Sequence, residues 1–148
     1  MSSNIIKVIA SLAIGASLSY GATVAEVKGF VAEGIAFCKE KGNDACLKEF
    51  NNKQGKFIRG ELYMFAYAFD GELKALGSNP QIVGKNLYKL KDAAGNMLIQ
   101  ELINIAKTKG EGWFDYKWSH PQTKRIADKT SFIKRIDGDM FIGTGYYK

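Results

Sequence analysis

The chain has 148 residues, a formal charge of +6, and 46% hydrophobic against 24% charged residues. That composition excludes a disordered tail and the length excludes a multidomain machine. One ordinary domain of this size buries about two-thirds of its unfolded surface, enough for a core and one internal cavity.

Residues 1–21 read as a secretory signal peptide: Lys7 in a short basic start, an apolar and small-residue run from Val8 to Leu18, then Ser19 and Gly21 as the small-x-small pair before a cut at Ala22. The run of about eleven residues is too short for a hydrocarbon core that needs about 20 helical residues. A secreted, periplasmic domain spanning 22–148 is expected, and losing Lys7 with the leader lowers its charge to +5. Cys38 and Cys46 can then close a small disulfide loop that clasps two helices, contributing about 2 kcal/mol. Neither a CxxC redox pair, a haem motif nor a metal-ligand set is present, and nothing calls for a cofactor. Basic residues are spread along the chain, which argues against a nucleic-acid partner and leaves a diffuse field that favours small anions.

Val24, Val27, Val31, Ile35 and Cys38 recur at helical spacing and predict a long amphipathic helix to about Lys41. Gly42 and Asn43 end it, and Asp44 is expected to cap a short second helix carrying Leu47 and Phe50 inward. Over Glu61 to Phe69 the period becomes two. Tyr63, Phe65, Tyr67 and Phe69 share one strand face and Leu62, Met64, Ala66 and Ala68 the other, which predicts a central strand. Asp70-Gly71 signals a hairpin returning through Glu72 to Leu76. Residues 77–92 hold no sustained period and read as a long structured loop. Asn96 is expected to cap a third helix with a stripe of Leu98, Leu102 and Ile105, ended by Gly110. Three further strands follow, Trp113 to Trp118, Asp128 to Ile136 and Met140 to Tyr147. Helices packed on a five-stranded antiparallel sheet define an α+β fold.

The candidate chemistry lies in the aromatic set Tyr63, Phe65, Tyr67, Tyr116 and Trp118, which can wall an apolar pocket or simply build the core. Lys129, with Lys117 and Lys124, could place a cation at the rim of such a pocket, where partial desolvation favours a carboxylate. The lone His120 precedes Pro121 in a turn, with no nucleophile or carboxylate pair at a catalytic spacing. No GxSxG, HExxH, P-loop or EF-hand pattern occurs, so nothing supports an enzyme.

The motif order Glu61-Leu62-Tyr63-Met64-Phe65-Ala66-Tyr67, Asp70-Gly71, Asn79-Pro80, Val83-Gly84-Lys85-Asn86, Asp92 and Gly95 resembles the first half of a single Cache domain of the type-two class. Gly110-Glu111-Gly112-Trp113, Tyr116-Lys117-Trp118, Thr123-Lys124, Lys129 and Phe141-Ile142-Gly143-Thr144-Gly145-Tyr146-Tyr147 resemble the second half. The resemblance covers about residues 26–148. It implies an extracytoplasmic, PAS-like sensor fold with a long N-terminal helix and a sheet that cups a short organic acid of the acetate, propionate, pyruvate or lactate class. The ligand-binding residues it implies are Phe65, Tyr67, Tyr116, Trp118 and Lys129. Where the family pattern often has Ala-His-Gly, this chain has Ala75-Leu76-Gly77, an apolar group in place of a polar contact. The expected function is non-catalytic binding in a sensor that serves chemotaxis or other signal transduction. The alternative is a ligand-free interaction module that docks onto a membrane-bound signalling partner.

Overall fold

A computed structural model describes residues 22–148; the expected signal peptide lies outside them. Helix α1 (Val24–Lys41) starts in a capping box, with the Thr23 hydroxyl accepting from Glu26 N and the Glu26 carboxylate accepting from Thr23 N. It buries Val27, Phe30, Val31 and Cys38. Helix α2 (Asn43–Phe50) follows directly, capped by Gly42, so Asp44 sits inside the first turn and is not the cap. The Cys38–Cys46 disulfide ties the two helices together.

A two-stranded ribbon, β1 (Ile58–Arg59) with β2 (Leu62–Tyr63), precedes the main sheet. The sheet contains β3 (Phe65–Ala68), β4 (Leu73–Leu76), β5 (Glu111–Ser119), β6 (Ile126–Ile136) and β7 (Met140–Tyr147) in the order β4-β3-β7-β6-β5, antiparallel throughout. The strand expected over Glu61 to Phe69 is thus divided at Met64. There the backbone leaves one ladder for another: Thr144 Oγ1 donates to Tyr63 O at 2.7 Å and Gly77 N to Met64 O at 3.0 Å.

The expected two faces hold across that break. Leu62, Met64 and Ala66 pack under α1 and α2, whereas Tyr63, Phe65 and Tyr67 pack under α3 (Leu98–Lys109) on the opposite face. Asn96 does not cap α3. The preceding residue of the helix is Met97, and both the backbone and side-chain nitrogens of Asn96 donate to Asp92, at 2.8 and 3.0 Å. The long loop contains a 3-10 turn, Pro80–Ile82, and runs along the outer edge of β4, with Leu73 N donating to Lys85 O and Gly84 N to Leu73 O. A covered edge cannot recruit a foreign strand.

The glycines of the closing strand have a steric role. A Cβ on Gly143 would lie 2.6 Å from both Ile133 Cγ2 and the Phe65 ring. Only glycine lets Phe65 lie flat across β7, and this fixes one wall of the site described next.

Candidate functional site

Between the second face of the sheet and α3 lies a chamber into which five side chains expected from the sequence converge. Phe65 and Tyr67 come from β3, Tyr116 and Trp118 from β5, and Lys129 from β6. Tyr63 and Leu76 complete the sheet side, and Leu98, Ile99 and Leu102 of α3 form the roof. The register explains the convergence: Lys129 pairs directly with Tyr116 on one side and Tyr147 on the other, so all three project from the same face.

Two expectations require correction. The cation is not at a rim: Lys129 is 1% exposed, at the floor of the chamber. Nor is the chamber an open hollow. The space in which a water-sized sphere can be centred is about 10 Å³, the threshold for a single water molecule. The roof leucines and the rings nearly meet. Of the other two lysines considered, Lys117 is bound to Asp128 on the exposed side of the sheet, and Lys124 lies outside the chamber in a turn.

The electrostatics of Lys129 are unusual. None of the ion pairs among the described residues involves it. Its Nζ donates one hydrogen bond, to Tyr63 Oη at 2.8 Å, and lies over four aromatic rings, those of Tyr63 at 4.2 Å, Tyr147 at 5.2 Å, Phe65 at 5.5 Å and Tyr116 at 5.8 Å. Ring faces stabilise an ammonium only in part, by about 0.5–2 kcal/mol for each close contact. An ammonium has three donors. One is committed to Tyr63.

Tyr63 carries the bond onward. Its hydroxyl lies 3.1 Å from Tyr147 Oη, which donates to Ser119 O at 2.8 Å, so in the neutral state Tyr63 donates to Tyr147 and accepts from Lys129. Burial pushes the Tyr63 phenol up, but the Lys129 ammonium and the hydrogen bonds from Lys129, Tyr147 and Ser78 outweigh it and hold the phenol below its ordinary value of 10. Burial raises the phenols of Tyr67, Tyr116 and Tyr147, with the neighbouring Tyr63 adding to each. These three remain protonated donors. Tyr116 shares its hydrogen bond with Ser131 Oγ at 2.8 Å.

His120 is packed more closely than a surface turn residue. Its ring lies 4.5 Å from that of Tyr147, its Nδ1 accepts from Gln122 N and Thr123 N, and its Nε2 faces Glu61 Oε2 at 3.7 Å. Sequence periodicity could not single out Tyr147 or Ser78 as neighbours of the site, since one closes the chain's last strand and the other sits in the aperiodic loop.

A protein-family model described as a Cache domain matches residues 40–148. The chain belongs to the Cache domain family. It is 40% identical over 86 residues to the sensor histidine kinase MctS of Rhizobium johnstonii, a match that covers 57% of this chain but only 18% of the kinase. Among solved structures, it resembles a methyl-accepting chemotaxis protein from Vibrio parahaemolyticus with a TM-score of 0.70 at 27% identity, covering 83% of this chain and 86% of that one. A periplasmic sensor domain of a chemotaxis protein (TM-score 0.65, 23% identity, 81% and 86% covered) shares the fold. So does a Cache chemosensory domain described for carboxylic acid recognition (TM-score 0.63, 24% identity, 81% and 80% covered). This is the sensor fold of chemotaxis receptors and sensor kinases. No helix among the described residues is long and apolar enough to cross a membrane.

Proposed function

We propose that this Cache domain is an extracytoplasmic sensor that binds a short monocarboxylate in the Lys129 chamber without transforming it. The observation that carries the reading is a lysine buried to 1% exposure with no carboxylate partner, surrounded by rings and with donors to spare. A buried ammonium with no counter-ion is costly, and a ligand carboxylate supplies the missing charge where low dielectric makes the pair strong. The Tyr67 hydroxyl, kept protonated by burial, offers a second donor, and Leu76, Leu98 and Leu102 suit an apolar tail. The carboxylic acid named for one neighbour of the same fold is of the same chemical class.

Because the chamber holds only about 10 Å³, binding requires the roof of α3 to lift from the rings. A sensor needs a differential fit of this kind: a ligand shifts an equilibrium only when it favours one conformation over the other. Isothermal titration with acetate, propionate, pyruvate and lactate tests the reading. Saturable heat with at least one of them is expected, and flat traces with all four would refute it. The filled chamber and Leu76 favour a second reading, a domain that has lost its ligand and docks onto a membrane-bound signalling partner; the same flat traces would turn the assignment toward it.

A further inference from the structure

Directly outside the chamber, on the far side of Leu76 and Trp118, is a second cleft of about 340 Å³. Leu76 and Trp118 belong to both, so the two spaces share a wall one side chain thick. The cleft is lined by Lys53, Lys124, His120 and Ser78, and no carboxylate lines it. Neither Lys53 nor Lys124 takes part in an ion pair among the described residues. The nearest acid, Glu61, faces His120 Nε2. Lys124 is held by the turn itself, at a left-handed φ of 60° with its N–H bonded to His120 O at 2.9 Å. Ser78 bridges the two spaces, because its side chain also hydrogen-bonds the Tyr63 phenol beside Lys129.

We infer that this cleft is an outer subsite for small carboxylates, in which Lys53 and Lys124 gather the anion and Ser78 passes it between Leu76 and Trp118 to Lys129. The inference rests on the monocarboxylate reading for its inner destination, while the outer site stands on its own lining. A concave site of one sign concentrates the opposite ion and raises its rate of capture. Two unit charges at about 8 Å enrich a monoanion about two- to fivefold at low ionic strength, and salt erases the effect. The inner chamber cannot admit a ligand until it opens; the outer cleft already has the volume.

The two tryptophans allow a test in which Trp113, on the other face of the sheet against Phe132, is the internal control. The probe is a small nitroxide carboxylate, compared with its neutral amide analogue, and the readout is paramagnetic broadening of the two indole N–H signals in the NMR spectrum. The carboxylate-to-amide ratio is expected to be two- to fivefold greater at Trp118 than at Trp113 in low salt. It should fall to the Trp113 value in the Lys53→Gln/Lys124→Gln variant, whose changes are on exposed side chains, and persist in Lys129→Met. Equal ratios at the two indoles, or an excess that survives the double variant, would overturn the outer subsite. Flat calorimetric traces with propionate alongside a persistent Trp118 excess would instead remove the inner reading and leave the outer site standing.

Discussion

Replacing Lys129 by Met should separate function from stability. The substitution keeps an unbranched chain of similar reach and deletes the ammonium. Two favourable contacts disappear: the hydrogen bond to Tyr63 Oη, and the position 4.2 Å over the Tyr63 ring. Together they amount to about 2–4 kcal/mol. Against this, the desolvation penalty of an ammonium buried to 1% exposure without a counter-ion is several kcal/mol. Tyr63 is not orphaned by the change, since Tyr147 and Ser78 still meet its hydroxyl. The ligand-free variant should therefore be as stable as the parent or more so, by about 0–3 kcal/mol, with a melting temperature higher by about 3–5 °C per kcal/mol. Propionate binding should fall at least tenfold, or about 1.4 kcal/mol. Paired thermal unfolding and calorimetric titration read both quantities. A variant that loses more than about 2 kcal/mol while binding propionate unchanged would show that the lysine serves the fold, and the reasoning from its missing counter-ion would fail.

Alkaline titration gives a second expectation. Because Tyr63 is depressed below 10, one phenolate should appear before the others in near-ultraviolet absorbance, and this early step should vanish in both Tyr63→Phe and Lys129→Met. Its contribution to stability grows as pH rises through the lowered value toward 10. Tyr67, Tyr116 and Tyr147 act in the opposite sense: raised in the folded state, they confer stability present below pH 10 that is lost as pH climbs beyond it. Stability measured in denaturant should accordingly decline above pH 10, and a flat profile there would contradict the burial of these phenols. Tyr147→Phe, which removes the donor to Ser119 O, should cost about 1–2 kcal/mol in urea unfolding. Gly143→Ala forces a methyl against Ile133 and Phe65 and should cost about 1–3 kcal/mol by the same measurement; a neutral result would mean that Phe65 is free to move.

The α+β architecture was legible where hydrophobic period and turn chemistry agreed. Alternation from Leu62 to Ala68 specified two buried faces, and Gly110 ends α3 in the left-handed conformation that suits glycine. Short-range signals misled where a distant partner competed. Asn96 looks like a helix cap, but the Asp92 carboxylate claims its nitrogens. The β1–β2 ribbon escapes notice because two-residue strands show no period. The five lining residues could be read from the strands that carry them, whereas the depth of Lys129 could not. Its neighbours Thr130 and Ser131 are polar, and they are buried because β5 and β7 flank β6 on both sides. The size of the void depends on how closely Leu98 and Leu102 approach the rings across the sheet, which no local pattern encodes.

Carboxyl-labelled propionate followed by NMR tests the central claim most directly, because the reporting atom is the one placed against the lysine. A saturable shift of the carboxyl resonance with the parent protein, absent with Lys129→Met, is the predicted result. A resonance that stays where it is in free solution as parent protein is added in excess, or one that shifts equally with both proteins, would contradict the account.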